Sequence, residues 1–186
     1  MSHTNLDVRW PENRAVARRS HGSISGIWTR ASNAAINFAF EQIHSPNGVP
    51  LSVRLLNNCR NILMQGVRGA NKQPGESRRS QNWIGGSRPG NAVYVPPPPQ
   101  YVAELLGQLD RYMHAEDTLD PLLRIGLVHV QFETIHPYLD GNGRLGRMLI
   151  ALLLEHWRLL KSPLLYLSLY LKQNQAAYAD FHAGSA

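Results

Sequence analysis

The side chains best suited to catalysis in this 186-residue sequence fall in one short segment. The segment runs from His136 to Arg147 and reads HPYLDGNGRLGR. It holds an imidazole that can act as a general base, a carboxylate that suits Mg²⁺, and two guanidinium groups that can bind a polyphosphate. Phosphoryl and nucleotidyl transfer need this combination, because their catalysis consists mostly of positioning reactants and neutralising charge. The segment therefore predicts an enzyme of that class.

The residues of this segment have separable roles. His136 precedes a glycine-rich loop, where it can serve as a general base. Asp140 supplies a hard oxygen ligand beside the loop. Arg144 and Arg147 are three positions apart at the start of a helix, so they are neighbours on its surface. Each residue alone has an ordinary structural explanation, and the prediction depends on their occurring together.

The glycines of the segment indicate how the loop is built. Pro137 resists helix formation, and Gly141 and Gly143 permit turns that other residues resist. The apolar residues that follow predict a central buried helix over 144–160. A loop that leads into a helix presents unpaired N–H groups and the positive end of the helix dipole. The loop is therefore expected to bind an anion.

Other nucleotide- and ion-binding loops fit the segment less well. Residues 141–146 match the dinucleotide-binding fingerprint, but the segment before them is predicted to be helical rather than a strand. No Gly-Lys-Ser/Thr follows, which excludes a P-loop. A calcium loop that begins at Asp140 fails because Arg144 and Ala151 stand where oxygen ligands are required.

Helical periodicity dominates the rest of the chain and predicts a mostly α fold. The predicted helices cover 31–43, a stretch beginning at Pro50, 101–114, 121–135, 144–160 and two pieces within 163–182. The apolar positions of the fourth helix are Leu123, Leu127, Val130 and Phe132. Residues 66–90 are rich in Gly, Pro, Ser and Arg, which predicts a loop with a hairpin-like flap.

Composition narrows the setting in which such an enzyme works. Hydrophobic residues make up 43% of the chain and charged residues 17%, which is typical of a soluble domain. The net charge is +6, concentrated in the first half, and we interpret it as a solvated face rather than a nucleic-acid surface. The single cysteine, Cys59, and the absence of a long apolar run predict a soluble, cytoplasmic protein with no membrane partner.

The segment from His136 to Arg147 resembles the signature of Fic-domain proteins, H-P-F-x-D/E-G-N-G-R-x-x-R, with Tyr138 in place of Phe. The resemblance extends through most of residues 50–180. It implies a Fic-like helical domain over 46–182 with a small β-hairpin flap, preceded by a lead-in segment over 1–45 that includes a degenerate inhibitory region.

The resemblance also implies an activity, the transfer of AMP from Mg-ATP to a Ser, Thr or Tyr hydroxyl of a target protein and of the enzyme itself, with release of pyrophosphate. His136 would deprotonate the attacking hydroxyl, and Asp140 would hold Mg²⁺ on the α- and β-phosphates. Asn142 would contact the α-phosphate. The nucleotide-binding residues implied by the resemblance are Gly141, Asn142, Gly143, Arg144 and Arg147.

The resemblance implies two kinds of protein partner. In the family the flap docks the target by strand pairing, which assigns docking to Trp83, Ile84, Gly85 and Gly86. Many relatives carry an inhibitory helix with the pattern S/T-x-x-x-E-G/N, and here Ser25 occupies the position of its Glu. Our hypothesis is that the chain lacks a working internal brake, and three explanations stay open: the brake is absent, it is lost by truncation or mutation, or a separate protein supplies it.

The signature is shared by relatives of different chemistry, so two alternatives stay open. One is a Fic-type enzyme that moves UMP, phosphocholine or a γ-phosphate, or that removes AMP. The other is a toxin-like partner-binding module with weak catalysis. The target protein, the modified residue and the oligomeric state are not determined by the sequence.

Overall fold

The computed structural model describes residues 30–65 and 75–160, and within them the fold is helical. The helices are α1 Arg30–His44, α2 Val53–Leu63, α3 Pro99–His114, α4 Pro121–Ile135 and α5 Asn142–His156. The mostly α prediction is confirmed. The predictions for the lead-in, for Ser25 and for helices within 163–182 fall outside the described residues.

Helix α5 is the centre of the packing, as the sequence predicted. It packs against α1, α2 and α4. Its fully buried side chains are Leu145, Met148, Leu149, Leu152 and Leu153. Burial of each such side chain stabilises the fold by roughly 1.5–3 kcal/mol. The helix starts two residues earlier than predicted, because Gly141 adopts a left-handed conformation with φ of 90° and acts as the N-cap.

The start of α2 corrects a sequence prediction. Pro50 was expected to lie in the first turn, but the helix begins at Val53 with Ser52 as its N-cap. The Ser52 hydroxyl accepts a hydrogen bond from the Leu55 N–H at 3.3 Å, which satisfies one of the unpaired donors at the helix start. The capping chemistry of Ser52 therefore prevails over the preference of Pro50 for a first turn.

The inner face of α4 also differs from the apolar pattern in the sequence. Leu123 and Leu127 are 64% and 52% exposed, whereas Arg124 on the same helix is buried. The Arg124 guanidinium donates to the main-chain oxygens of Tyr112 and Ala115. It also lies 4.8 Å from the centroid of the Trp157 ring. A long cationic side chain thus fills a position that a pattern of apolar residues cannot reveal.

The flap contains less strand structure than predicted. In residues 75–98 it has one antiparallel bridge, between Ile84 and Tyr94, and one turn of 3₁₀-helix over Pro89–Asn91. The β-hairpin is therefore not confirmed. Prolines lack the N–H that a ladder requires, and the exposed glycines Gly85 and Gly86 both take positive φ, so the pairing stops after one bridge.

None of the helices in the described ranges is long and apolar enough to cross a membrane.

Candidate active site

His136 ends α4 in an uncommon backbone conformation. It is the C-cap of the helix with φ of 45° and ψ of 60°, in the left-handed region that non-glycine residues rarely adopt. Its N–H still bonds to the Phe132 oxygen at 3.1 Å. The left-handed turn directs the chain out of α4 into the loop that leads to α5. The backbone of the proposed base is therefore held in a conformation that its surroundings must enforce.

Arg78 of the flap supplies most of that enforcement. Its buried guanidinium donates to the Ile135 oxygen at 3.3 Å, to the His136 oxygen at 3.0 Å and to the Pro97 oxygen. The main-chain N–H of Arg78 donates to the main-chain oxygen of Pro137 at 2.8 Å. Carbonyls at a helix C-terminus lack helical partners and favour a positive charge. Arg78 thus fixes the turn at His136 and ties the flap to it.

The side chains of Asn82 and Asn142 hold the next part of the loop. Asn142 accepts the Tyr138 N–H at 2.9 Å and donates to the Tyr138 oxygen at 2.7 Å. Asn82 donates to the same oxygen at 3.1 Å. The side chain of Asn142 is therefore engaged inside the loop, and its backbone N–H is the group that it can offer to an anion.

The surroundings of Tyr138 accommodate a tyrosine at a position where the signature that this segment resembles has Phe. The ring is fully buried, with the Arg60 guanidinium 4.8 Å from its centroid. Its hydroxyl donates to the Asn57 Oδ1 at 2.6 Å, which satisfies a group that would otherwise be buried without a partner. Burial raises the pKa of Tyr138. The tyrosine is therefore a packed support of the loop rather than a reacting group.

The start of α5 has the backbone geometry on which the prediction of an anion site depends. The first helical hydrogen bond runs from the Leu145 N–H to the Gly141 oxygen at 3.0 Å. The N–H groups of residues 142–144 precede it and have no acceptor within the helix. A Cβ on Gly143 would lie 3.3 Å from a terminal nitrogen of Arg147, so this glycine leaves room for the guanidinium beside the helix start.

Asp140 is placed where a cation could reach it. Its Oδ1 accepts the Gly141 N–H at 2.6 Å and lies 3.7 Å from a guanidinium nitrogen of Arg144. The side chain is 44% exposed. The described residues contain no group of three or more His, Cys, Asp or Glu side chains that could hold a metal by themselves. This donor set fits Mg²⁺, which commonly takes one or two carboxylates and completes its shell with phosphate oxygens and water.

Glu133, which the sequence reasoning missed, lies between α4 and α5 next to His136. Its Oε2 is 4.0 Å from the His136 Nδ1. Burial raises the pKa of Glu133 to about 7, and the charge of Arg147 opposes the shift. Burial also lowers the pKa of His136, and the Arg78 charge adds to this, while the Glu133 main chain counteracts it. The lowered pKa favours the neutral imidazole that a general base requires.

The flap residues assigned to docking lie against this loop. The Tyr94 hydroxyl donates to the Thr134 oxygen in the last turn of α4 at 3.0 Å. Ile84 pairs with Tyr94 through two main-chain hydrogen bonds, one of them from the Ile84 N–H at 2.9 Å. The four predicted docking residues are all exposed: Trp83, Ile84, Gly85 and Gly86. They therefore stand on a segment anchored beside His136.

Comparisons with known proteins identify related chains. The Fic/DOC family model matches residues 50–154. A probable protein adenylyltransferase of Aquifex aeolicus (strain VF5) is 41% identical over 66 residues, which are 35% of this chain and 21% of that protein. Protein adenylyltransferase Fic of Drosophila yakuba is 39% identical over 82 residues, 43% of this chain and 15% of that protein. The chain thus matches only a small part of the length of these relatives.

Solved structures of low sequence identity share the fold. A Fic family protein from Desulfovibrio desulfuricans G20 has a TM-score of 0.60 and 22% identity, covering 83% of this chain and 55% of its own. A Fic domain containing signaling protein from Bacteroides thetaiotaomicron VPI-5482 has a TM-score of 0.56 and 22% identity, covering 68% of this chain and 47% of its own. These likenesses support the helical architecture alone.

Proposed function

Because this chain belongs to the Fic/DOC family, we propose that it transfers AMP from Mg-ATP to a Ser, Thr or Tyr hydroxyl of a target protein. The observation that carries the proposal is the loop between α4 and α5. It joins the mostly buried imidazole of His136 to the N–H groups at the start of α5, which lack acceptors within the helix. The names of the curated relatives, protein adenylyltransferases, support the same activity.

The nucleotide phosphates would bind at the N-terminus of α5. The backbone N–H groups of residues 142–144 and the helix dipole favour negative charge there. Arg144 and Arg147 extend from the same turn and would pair with the phosphate tail. Asp140 would hold Mg²⁺ against the α- and β-phosphates, and the ion would neutralise their charge. Gly141 and Gly143 allow the phosphates to approach the backbone closely.

The transfer step follows from the position of His136. Its neutral imidazole would take the proton from the target hydroxyl, whose oxygen would then form a bond to the α-phosphorus. The bond from that phosphorus to the bridging oxygen would break, and pyrophosphate would leave with that oxygen and its electron pair. The burial that lowers the pKa of His136 keeps the imidazole unprotonated near neutral pH.

The target would dock on the flap beside Trp83. The N–H and C=O of Ile84 bond inward, to Tyr94 and Val93. Main-chain groups of neighbouring residues in an extended chain point to opposite sides, so those of Trp83 would face outward, whereas the positive φ of Gly85 ends the extended conformation. An extended segment of the target would pair with them. Inhibition by a separate protein is also part of the proposal, because the region around Ser25 supplies no Glu.

The test uses ATP labelled with ³²P on the α- or on the γ-phosphate, with Mg²⁺, wild type, His136→Ala and His114→Ala. His114 is an exposed histidine on α3 and serves as the control. Protein-bound label should come from α-labelled ATP alone. It should fall by about 100- to 10,000-fold in His136→Ala, because a general base is lost, and stay unchanged in His114→Ala.

Two results would contradict this proposal. Label from the γ-phosphate alone would indicate transfer of a phosphoryl group instead. Unchanged label in His136→Ala would indicate that His136 is not the general base.

A further inference from the structure

Two neighbouring side chains beside the candidate site each have a buried polar atom without a hydrogen-bond partner. They are the Nδ1 of His136 and the Oε1 of Glu133. The side chains of the two residues are 21% and 12% exposed, and the Glu133 Oε2 is 4.0 Å from the His136 Nδ1. Since buried polar groups are nearly always hydrogen-bonded in folded proteins, two such neighbours call for a functional explanation.

Resting on the transfer reaction proposed above, we propose that Glu133 is a positioning residue for His136. Its carboxylate accepts a hydrogen bond from the Nδ1–H of the imidazole and so leaves Nε2 free to take the proton of the target hydroxyl. The two residues are three positions apart on the last turn of α4, which places their side chains side by side. Closing the 4.0 Å separation to a hydrogen bond needs a side-chain shift of only about 1 Å.

The chemistry of a histidine base explains why such a partner matters. A neutral imidazole carries its proton on one nitrogen, and the hydrogen bond at that nitrogen decides which one. A carboxylate at Nδ1 fixes the tautomer with a free Nε2, holds the ring in place, and stabilises the imidazolium that forms during the reaction. Glu133 would supply these three effects without touching either substrate.

The packing around Glu133 makes room for this arrangement. A Cβ on Gly146 of α5 would lie 2.2 Å from the Glu133 Oε1 and 3.0 Å from the His129 ring. Only a glycine at position 146 therefore leaves space for the carboxylate between α4 and α5. The position of Glu133 is thus defined by its neighbours rather than by solvent.

An alternative role for Glu133 is to orient Arg147 for the nucleotide. The charged or titratable groups around the pair are His129 on α4, Arg147 on α5 and Arg78 on the flap. No ion pair within 4.0 Å joins Glu133 to Arg147 in the part of the chain that the structure describes. His136 is therefore the closer partner, and the two roles predict different changes in a Glu133 variant.

The first test observes His136 directly and does not depend on AMP transfer. ¹⁵N-histidine-labelled wild type, Glu133→Gln, Glu133→Leu and Glu155→Gln are titrated by NMR, with His136 assigned from its missing signal in His136→Ala. Glu155 is the matched control, because it is also buried and lies 3.2 Å from a histidine nitrogen, in His44, outside the site.

We expect wild-type His136 to be protonated at Nδ1 when neutral. Glu133→Gln should weaken this preference, because an amide oxygen is a weaker acceptor than a carboxylate, and the comparison is made at pH 8, above the pKa of about 7 at which Glu133 loses its proton. Glu133→Leu should also lose the preference for the Nδ1–H tautomer, and Glu155→Gln should match wild type. An unchanged tautomer and titration of His136 in both Glu133 variants would overturn the proposal, whether or not the wild type transfers AMP.

The second test is the pH dependence of transfer. In Glu133→Gln, kcat should fall about tenfold, the acid limb of kcat/KM should move to lower pH, and KM for ATP should stay the same. A raised KM for ATP with an unmoved acid limb would assign Glu133 to Arg147 instead. If Glu133→Gln does not fold, Glu133→Asp is used instead. Its side chain is one methylene shorter, which moves the carboxylate away from His136 and should give a smaller shift of the acid limb in the same direction.

Discussion

The loop that carries His136 is held differently on its two sides. On the flap side, Arg78 and Asn82 donate hydrogen bonds to the main-chain oxygens of Ile135, His136 and Tyr138, although the Oδ1 of Asn82 is itself buried without a partner. On the helix side, between α4 and α5, the side chains of Glu133 and His136 each keep a buried polar atom without a hydrogen-bond partner. The backbone is therefore fixed, while the groups proposed to react are not saturated by the fold.

The two sides therefore have different roles, since the flap side holds the loop backbone in place and the helix side carries the side chains proposed to serve proton transfer. Main-chain hydrogen bonds to a buried arginine stabilise one loop conformation and take no part in proton transfer. Unsatisfied side-chain atoms are costly to bury, but they can change partners when a substrate binds. The flap side should therefore respond to mutation mainly through stability, and the helix side mainly through activity and pH dependence.

The largest effect should come from removing the hydrogen bonds that Arg78 donates to the loop on the flap side. Arg78→Met leaves the carbonyls of Ile135, His136 and Pro97 without their donor. We expect a loss of about 3 kcal/mol in the free energy of unfolding, measured by urea denaturation, because bonds to a charged donor are strong and the acceptors are buried. AMP transfer should also fall, since the turn at His136 loses its support.

The neighbouring arginine is the control for this prediction. Arg79 is exposed and pairs with Glu76 at 2.7 Å in an ion pair three residues apart. Arg79→Met should change the free energy of unfolding by less than about 0.5 kcal/mol, because exposed ion pairs contribute little. Equal losses of unfolding free energy in Arg78→Met and Arg79→Met would mean that the hydrogen bonds of Arg78 to the carbonyl oxygens do not stabilise the loop.

A smaller effect should come from filling the space beside Glu133. Gly146→Ala brings a Cβ to 2.2 Å from the Glu133 Oε1, and the carboxylate must turn away from a buried position. We expect a loss of about 1–2 kcal/mol in unfolding free energy and a loss of transfer activity, because overpacking outweighs the better helix propensity of Ala.

At Gly126 on α4 the same substitution, glycine to alanine, should stabilise the protein instead of destabilising it. A Cβ there would meet no atom within 4 Å, and the residue is exposed. Gly126→Ala should therefore stabilise the protein by about 0.5–1 kcal/mol through helix propensity alone, with unchanged activity. If Gly146→Ala were stabilising as well, the tight packing of Glu133 between α4 and α5 would be contradicted.

The sequence predicted the contiguous part of the site better than the parts that tertiary contacts bring together. The glycine loop and the start of α5 depend on local rules, because positive φ and unpaired helix N–H groups follow from the residues themselves. Arg78 and Asn82 have no such signal, since nothing local indicates that a flap side chain will bond to the end of α4. Glu133 could have been found, because it stands three positions before His136 on a predicted helix.

The fold shows the same limit. Apolar spacing located α4 but did not decide which of its apolar residues are buried, since Leu123 and Leu127 are exposed whereas Val128 is buried. The start of α2 depends on the Ser52 cap and not on Pro50. The first detail is set by packing against the neighbouring helices and the second by a polar cap, and neither follows from the pattern of apolar residues alone.

The pH dependence of stability sharpens the comparison on the helix side. Burial raises the pKa of Glu133 from 4.5 to about 7, so the folded state binds the proton more tightly than the unfolded state. The stability linked to this proton is present below pH 4.5 and is lost as pH rises through 7. Glu133→Gln has no such proton, so its unfolding free energy should rise relative to wild type between pH 5 and pH 8.

The expected relative gain is on the order of 2 kcal/mol, because one pKa unit corresponds to about 1.4 kcal/mol and the two pKa values differ by more than one unit. Urea denaturation of both proteins at pH 5 and pH 8 measures it, and a difference that does not change with pH would show that Glu133 is not held in a desolvated position. His136 titrates in both proteins, so most of its contribution cancels. A variant that gains stability at pH 8 while it loses kcat would indicate that the carboxylate destabilises the fold but serves the histidine base.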